Sequence, residues 1–429
     1  NQGFWPESAR ARRGIRPRRQ PCVQLLGALN VAKNRAMSIS KKPKRLAILG
    51  ATGSVGAQAL DVFQSYREGF ELVGISACKS WERLASLAEA FEPEWVFLAD
   101  PSAREFLRET LAKTSVTILE DEQALLDTLS PEALDLVLAC VSGTDALKPT
   151  LAALERGIDV GLANKEAMLV LGPLLKKAAK GSGARIFPMD SEHAAVERAL
   201  RGVQSRKEVR KVILTSSGGP FWTLPEEALK HVSREEVLKH PVWSMGSKIT
   251  VDSATLMNKG FELIEACLLF DIPMEKLEVW IHPQGLVHGI LELNDGQHIW
   301  IVSEPDMRIP IAQAMFFPWV PPTPLRSFRP FGREFTFFMA DDARFPALKL
   351  AREAFSASRA SVVRLVAANE VLVEAFLHGN LPFWRIVPLL EEFVASSQDE
   401  AAPGLSDLSS TLAFLGATKD AACTLLNQD

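Results

Sequence analysis

The chain reads as an α/β protein followed by a helical C-terminus. Three features carry that reading: short apolar runs alternate with amphipathic helical stretches from Arg45 onward, a glycine-rich turn follows the first apolar run, and the pattern beyond Ala347 is almost wholly helical, rich in Ala and Leu. Strands interleaved with helices of this length imply a parallel sheet with helices on both faces, and ligands then gather beyond the carboxyl ends of the strands.

The expected strands are Arg45–Leu49, Phe70–Ser76, Trp95–Leu98, Val116–Leu119, Leu134–Cys140, Ile158–Ala163 and Ala184–Met189, with helices such as Ala103–Leu111 and Ala146–Arg156 between them. A second region, about 190–316, mixes strands Val209–Thr215, Val279–His282 and Ile299–Ser303 with a helix over Ser253–Phe270. The Pro- and Phe-rich stretch Phe317–Phe338 reads as an extended linker. The expected organisation is an extension (1–43), a first domain (44–189), a second (190–316) with a lid loop (238–248), a linker (317–346) and a helical bundle (347–429).

With 429 residues, a net charge of −4 and 47% hydrophobic residues, the chain has ample core and no whole-chain attraction to nucleic acid or anionic lipid. No apolar run approaches the ~18 residues of a membrane span. The five cysteines are scattered without a C-x-x-C pair, so reduced thiols are expected and neither a disulfide framework nor a cysteine zinc site. Residues 1–36 hold seven Arg and one Lys against Glu7, and the first Met is Met37. The preferred reading is translated upstream codons with Met37 as the start; the alternative is an organellar, plastid-type transit segment. The first reading goes with a cytoplasmic protein.

Gly50-Ala51-Thr52-Gly53-Ser54-Val55-Gly56 lies between the first strand and a helix, where glycines let backbone N–H groups reach a pyrophosphate. This marks the first domain as Rossmann-like, with Thr52, Gly53, Ser54 and Val55 against the nucleotide. The second strand ends in Cys78-Lys79-Ser80, a cation where NAD sites place a carboxylate, which favours a 2′-phosphate and hence NADPH.

Asp190-Ser191-Glu192-His193 follows the strand Ala184–Met189, so two carboxylates enter the ligand crevice together. Asn258, Glu262 and Glu265 share one face of the expected helix Ser253–Phe270. Carboxylates on so apolar a helix need a partner, and a hard divalent cation, Mg²⁺ or Mn²⁺, held by Asp190, Glu192 and Glu262 supplies it. Ser217, after the strand Val209–Thr215, joins Ser253, Asn258, Lys259 and His240 as donors for a phosphate. His240-Pro241-Val242-Trp243-Ser244-Met245-Gly246 places Trp243 and Met245 on a lid. Asn164-Lys165-Glu166 closes a strand and puts Lys165 in the crevice.

Together GATGSVG, LANKE, MDSEH, LTSSGGPF, HPVWSMGSKITVDSATLMNKGFELIEA, IHPQGLVHG and EPDMRIPIA, in this order, resemble the 1-deoxy-D-xylulose 5-phosphate reductoisomerase family from about Lys44 to the C-terminus. The resemblance implies NADPH-dependent rearrangement and reduction of 1-deoxy-D-xylulose 5-phosphate to 2-C-methyl-D-erythritol 4-phosphate, in isoprenoid precursor biosynthesis. It implies Mg²⁺ or Mn²⁺, with Co²⁺ as an alternative, and a homodimer. It further implies metal ligation by Asp190, Glu192 and Glu262, substrate contacts from Ser191, Lys165, Ser217, His240, Trp243, Ser253, Asn258, Lys259 and Glu262, and catalytic roles for Lys165, Glu192 and His240. Cofactor contacts extend to Asn164, Glu166 and Gly246, and His288 matches a further active-site histidine. The chain departs from the family pattern at Cys78-Lys79-Ser80, at Gly285 and at Ser356-Ala357-Ser358-Arg359-Ala360; none of these is a metal ligand.

Two rival readings remain at this point. One is a two-domain NADP dehydrogenase of the aspartate-semialdehyde type, which needs a catalytic Cys beside a His. The other is a non-enzymatic NADP-sensing regulator, which gives no reason for four clustered carboxylates.

Overall fold

In a computed structural model, residues 42–243, 245–323, 325–396 and 404–426 are described; the expected extension lies almost wholly outside them. Seven parallel strands form the first sheet: β1 (Lys44–Leu49), β2 (Phe70–Ala77), β3 (Trp95–Leu98), β4 (Thr117–Leu119), β5 (Leu136–Ala139), β6 (Asp159–Leu162) and β7 (Ile186–Pro188), in the order β4-β3-β2-β1-β5-β6-β7. Five more form a second sheet: β8 (Val209–Ser216), β9 (Leu277–Ile281), β10 (Val287–Leu293), β11 (His298–Val302) and β12 (Phe338–Met339), in the order β11-β10-β8-β9-β12.

The helices of the first region are α1 (Ser54–Ser65), α2 (Trp81–Phe91), α3 (Arg104–Leu111), α4 (Glu122–Thr128), α5 (Leu147–Glu155) and α6 (Lys165–Ser182). Around the second sheet lie α7 (Ser191–Leu200), α8 (Arg234–Val237), α9 (Ser247–Thr255), α10 (Met257–Phe270) and α11 (Arg308–Phe316). The bundle comprises α12 (Pro346–Ala357), α13 (Arg359–Leu377), α14 (Ile386–Ser396) and α15 (Leu408–Leu426).

The alternation of side chains along each strand builds two cores on the first sheet. Leu46 and Ile48 face one way with Leu136 and Leu138, under α1, α2, α3 and α11. Ala47 and Leu49 face the other with Val137 and Ala139, under α5 and α6, and this core runs on without a break into α13 and α14. The second sheet divides likewise: Val212 and Leu214 pack under α7 and α10, whereas Ile213 faces outward with Ile290, beneath Phe335 and Phe337 of the linker. From Pro43 onward the chain is one compact unit.

The observed elements differ from those expected at four places. The helix expected over Ser253–Phe270 is two helices, α9 and α10, separated by Leu256 in a left-handed conformation (φ 62°). Apolar periodicity runs through the break because Leu256 is itself buried, so nothing in the pattern signals the turn. After β7, Asp190 caps α7 and Glu192 sits in its first turn, so the two carboxylates are presented from a helix N-terminus. Strand β10, central to the second sheet, was not anticipated, because Val287-His288-Gly289 interrupts apolar alternation where Gly289 lets the strand lie against α7. The Pro-rich stretch ends in the short edge strand β12, paired with β9.

Candidate active site

Two cavities flank the glycine-rich turn. Beyond the ends of β1, β2, β3 and β5 lies one of about 430 Å³, bordered by Ser76, Cys78, Arg104, Val141, Thr144 and Leu412. The second, about 130 Å³, joins Ser54 and Val55 to Lys165, Asp190, Ser191, Glu192, Ser217, His240, Trp243, Met245, Gly246, Ser253, Asn258, Lys259 and Glu262. The turn between them is tight by construction. Gly50 has φ +82° against the Cys140 carbonyl, and a Cβ at Gly56 would collide with the Gly50 carbonyl oxygen, so α1 starts as close to the sheet as backbone permits. Thr52 and Gly53 lie within this turn, and Gly53 is the N-cap of α1. Cys78 borders the larger cavity, while Lys79 and Ser80 are exposed beyond it, with Ser80 at the N-cap of α2.

The carboxylates meet although they come from separate segments. One oxygen each of Asp190, Glu192 and Glu262 lies within 4.8 Å of the others. That clustering and the all-oxygen donor set suit a hard divalent cation. Two ammonium groups share the cluster: Lys165 Nζ is 3.0 Å from Asp190 Oδ2 and 3.6 Å from Glu262 Oε1, and Lys259 Nζ is 3.2 Å from Glu192 Oε1 and also pairs with Glu262. Lys259, expected among the phosphate donors, thus points at the carboxylates, because buried acids draw the nearest cation. Asn258 accepts from Lys165 (2.8 Å) and donates to Glu262, the one-turn spacing expected of α10.

Burial and charge set opposing protonation preferences here. Burial would raise the Asp190 carboxyl, but Lys165 and His193 hold it well below the ordinary range. Burial raises Glu192, only partly offset by Lys259, and pushes Glu265 up to about 7. Lys165 is pulled the other way: desolvation opposes its charge, yet Asp190 and Glu262 lift it well above the usual value.

His193 was not singled out from the sequence, and it lies beneath this cluster. Fully buried, it sets Nε2 2.9 Å from the Glu262 carbonyl and Nδ1 3.2 Å from Asp190 Oδ1 and 3.4 Å from Glu265 Oε2. Despite desolvation, Glu265 and Asp190 raise its pKa to about 9. Its signal was the i,i+3 spacing from Asp190, visible only once α7 is known to begin at Ser191.

The loop expected as a lid is held at both ends. His240 Nδ1 accepts from the backbone N–H groups of Val242 (3.1 Å) and Trp243 (2.8 Å), so the neutral ring carries its proton on Nε2 and donates to Ser217 Oγ at 3.1 Å. Burial lowers its pKa to about 4, which keeps it neutral. Trp243 approaches His288 with ring centroids 6.2 Å apart. At the far end Gly246 caps α9, and Lys248 Nζ bridges Glu166 Oε1 (2.6 Å) and Asp252 Oδ2 (2.9 Å). Asn369 of α13 donates to Asp252 Oδ1 at 2.7 Å. Asn164, expected beside the cofactor, caps α6 through Ala167 N and donates to the carbonyls of Val141 and Gly143. Ser253, on α9, and Ser217, just past β8, both line the small cavity. Met307, also on this cavity, was in a matched motif but given no role.

A dinucleotide-type sheet with its glycine turn opening onto a buried carboxylate cluster defines an NADP-dependent oxidoreductase with a cation site. Models of the family match in three blocks: 1-deoxy-D-xylulose 5-phosphate reductoisomerase over residues 46–172, its C-terminal domain over 186–270, and the DXP reductoisomerase C-terminal domain over 302–414. The 1-deoxy-D-xylulose 5-phosphate reductoisomerase of Geotalea uraniireducens is 40% identical over 81% of this chain and 90% of its own length. That of Thermomicrobium roseum is 40% identical over 83% and 92%. A crystal structure of DOX-P reductoisomerase in complex with NADPH, fosmidomycin and magnesium aligns at TM-score 0.84 and 32% identity, covering 90% of this chain and 98% of that one. The Zymomonas mobilis enzyme in complex with NADPH aligns at 0.81 and 34%, covering 90% and 99%. The chain belongs to the 1-deoxy-D-xylulose 5-phosphate reductoisomerase family.

Proposed function

We propose that the protein converts 1-deoxy-D-xylulose 5-phosphate to 2-C-methyl-D-erythritol 4-phosphate with NADPH and Mg²⁺ or Mn²⁺, a step toward isoprenoid precursors. The observation that carries this reading is the convergence of Asp190, Glu192 and Glu262 in the same cavity as Ser54 and Val55 of the nucleotide turn. Asp190, Glu192 and Glu262 hold the cation, which when bound acidifies a substrate hydroxyl and stabilises developing negative charge on oxygen.

The chain's own groups do the rest. Ser217, His240 Nε2, Ser253 and Asn258 surround the phosphate, while Lys259 holds the Glu192 and Glu262 carboxylates. Lys165 and Ser191 hold the keto and hydroxyl oxygens; Lys165, kept charged by Asp190 and Glu262, favours oxyanion over hydroxyl. The carbon skeleton rearranges to an aldehyde, and hydride from the nicotinamide reduces it as a proton reaches the aldehyde oxygen. Trp243 and Met245 exclude water from that aldehyde. Thr52, Gly53, Ser54 and Val55 cradle the pyrophosphate, with Cys78, Lys79 and Ser80 at the 2′-phosphate end and Asn164, Glu166 and Gly246 toward the nicotinamide. In this reading residues 44–189 serve the cofactor, 190–316 the chemistry, and 347–429 the helical support. The working form is a cytoplasmic homodimer; no helix among the described residues is long and apolar enough to cross a membrane.

The cysteine-dependent rival loses support from Cys140, whose thiol burial pushes up to about 12, leaving almost no thiolate near neutrality. The sensor rival leaves the carboxylate cluster without a purpose. The deciding experiment follows nicotinamide absorbance with 1-deoxy-D-xylulose 5-phosphate, with and without chelator. Oxidation of NADPH that stops on chelation and returns with Mg²⁺ or Mn²⁺ is expected; oxidation indifferent to chelator would overturn the reading.

A further inference from the structure

The loop between β5 and α5, Cys140 to Ala146, walls the larger cavity and lies directly against the nucleotide turn, since Gly50 abuts the Cys140 carbonyl. Its conformation therefore shapes the cavity beyond the ends of β1 and β5, where ligands of such sheets gather. On the inner side Asn164 holds it through the carbonyls of Val141 and Gly143. On the outer side it is held by the C-terminal bundle, more than 200 residues away in sequence.

Three side chains close a ring there. Lys419 Nζ of α15 donates to Thr144 Oγ1 (2.8 Å) and pairs with Glu370 Oε2 of α13 (3.0 Å), while Thr144 Oγ1 donates to Glu370 Oε2 (3.3 Å). Gly143, with φ +70°, leaves room for the Glu370 carboxylate, which any Cβ at that position would strike. Leu412, one helical face along α15, reaches the cavity wall itself. Neighbouring Asn369 grips Asp252 and, through it, Lys248 at the root of the lid. The ring is partly exposed, so its ion pair adds little to global stability. Its consequence is local: it removes freedom from a loop that a bound cofactor would otherwise have to order.

We infer that the C-terminal bundle is part of the dinucleotide site, with Glu370 and Lys419 as positioning residues that preorganise the Cys140–Ala146 loop for NADPH. This rests on the proposed NADPH dependence, and the test separates the two. Nucleotide fluorescence gives the Kd of NADPH for wild type, Lys419→Met, Glu370→Gln and the double variant. The same proteins are assayed for kcat and for the KM of the keto-sugar phosphate at saturating NADPH, and for apo melting temperature.

The expected result is a Kd for NADPH about tenfold higher in each single variant, no further loss in the double variant, and recovery in Lys419→Arg. Sugar-phosphate KM, kcat and melting temperature stay at wild-type levels. Tight binding by wild type with unchanged Kd in every variant that folds overturns the inference alone. Parallel losses in Kd, KM and melting temperature also overturn it, since they report general destabilisation. Absence of NADPH binding by wild type overturns both this and the underlying reading. Should Lys419→Met not fold, Lys419→Arg and Glu370→Gln carry the same measurement.

Discussion

Lys165 and Asp190 meet because their strands are neighbours in register. Leu162 at the end of β6 pairs with Pro188 at the end of β7, and each strand then delivers its polar residue into the crevice, with Nζ 3.0 Å from Oδ2. Burial alone would raise the Asp190 carboxyl; the Lys165 ammonium, with His193, holds it well below the ordinary range. Lys165→Met should therefore raise the pH at which Asp190 protonates. The expected outcome is Mn²⁺ binding, read by electron paramagnetic resonance, that fades at a clearly higher pH than in wild type as the solution is acidified.

Glu192→Gln keeps the side chain's shape but removes its charge, and the amide can accept from only one of Ser191 Oγ and Lys259 Nζ, so the proposed cation ligand is lost. Turnover should fall by about a thousandfold or more, with circular dichroism and melting unchanged. Near-native turnover in a folded variant would refute the assignment of Glu192 to the cation.

His193 links stability to pH. Its folded pKa, about 9, lies above the ordinary 6.5, so the charged ring stabilises the fold fully below about pH 6.5, and that contribution is lost as pH rises through about 9. Glu265, raised to about 7, erodes stability in the same direction at lower pH. In chelator, the wild-type melting temperature should decline between pH 6.5 and 9, by roughly 2–4 °C for each kcal/mol lost. His193→Gln should melt lower at neutral pH and show a flatter profile. A wild-type curve with no slope in this window would contradict the charged imidazolium.

His240 stays neutral down to about pH 4 and so adds no limb to the activity profile between pH 5 and 8. His240→Phe removes both the acceptor for two lid N–H groups and the Nε2 donor. KM for the sugar phosphate should rise by about tenfold or more, with a smaller change in KM for NADPH. Equal changes in both constants would show that the lid contact is not substrate-specific.

Leu256 holds a left-handed backbone and a buried side chain at once. Glycine there would relieve about 1 kcal/mol of strain but open a cavity costing about 2–5 kcal/mol. Leu256→Gly should therefore destabilise by a net ~1–4 kcal/mol in urea titration. A stabilised variant would show that strain dominates the site.

Much of the site was legible in order along the chain. The turn from Gly50 to Gly56, the D-S-E run and the N-K-G-F-E-L-I-E helix each carry a local reason for their residues, because turn geometry, burial cost and one-turn spacing act over a few positions. What stayed hidden involves partners distant in sequence. Lys259 stands by carboxylates that include Glu192, 67 residues earlier, and only packing of α7 against α10 places it there. The break at Leu256 was invisible because its burial satisfies the same apolar rhythm as an unbroken helix.

By itself the sequence determined the parallel sheet, the nucleotide turn and the need for a cation among buried acids, since period, glycine placement and charge burial are properties of short segments. Tertiary structure alone decided that His193 lies under those acids, that Lys248 stands between Glu166 and Asp252, and that Glu370 and Lys419 meet at Thr144 on the loop walling the larger cavity. The reason is physical: such contacts depend on the register and packing of whole elements, and no local pattern of residues encodes which distant side chain fills the space that packing leaves.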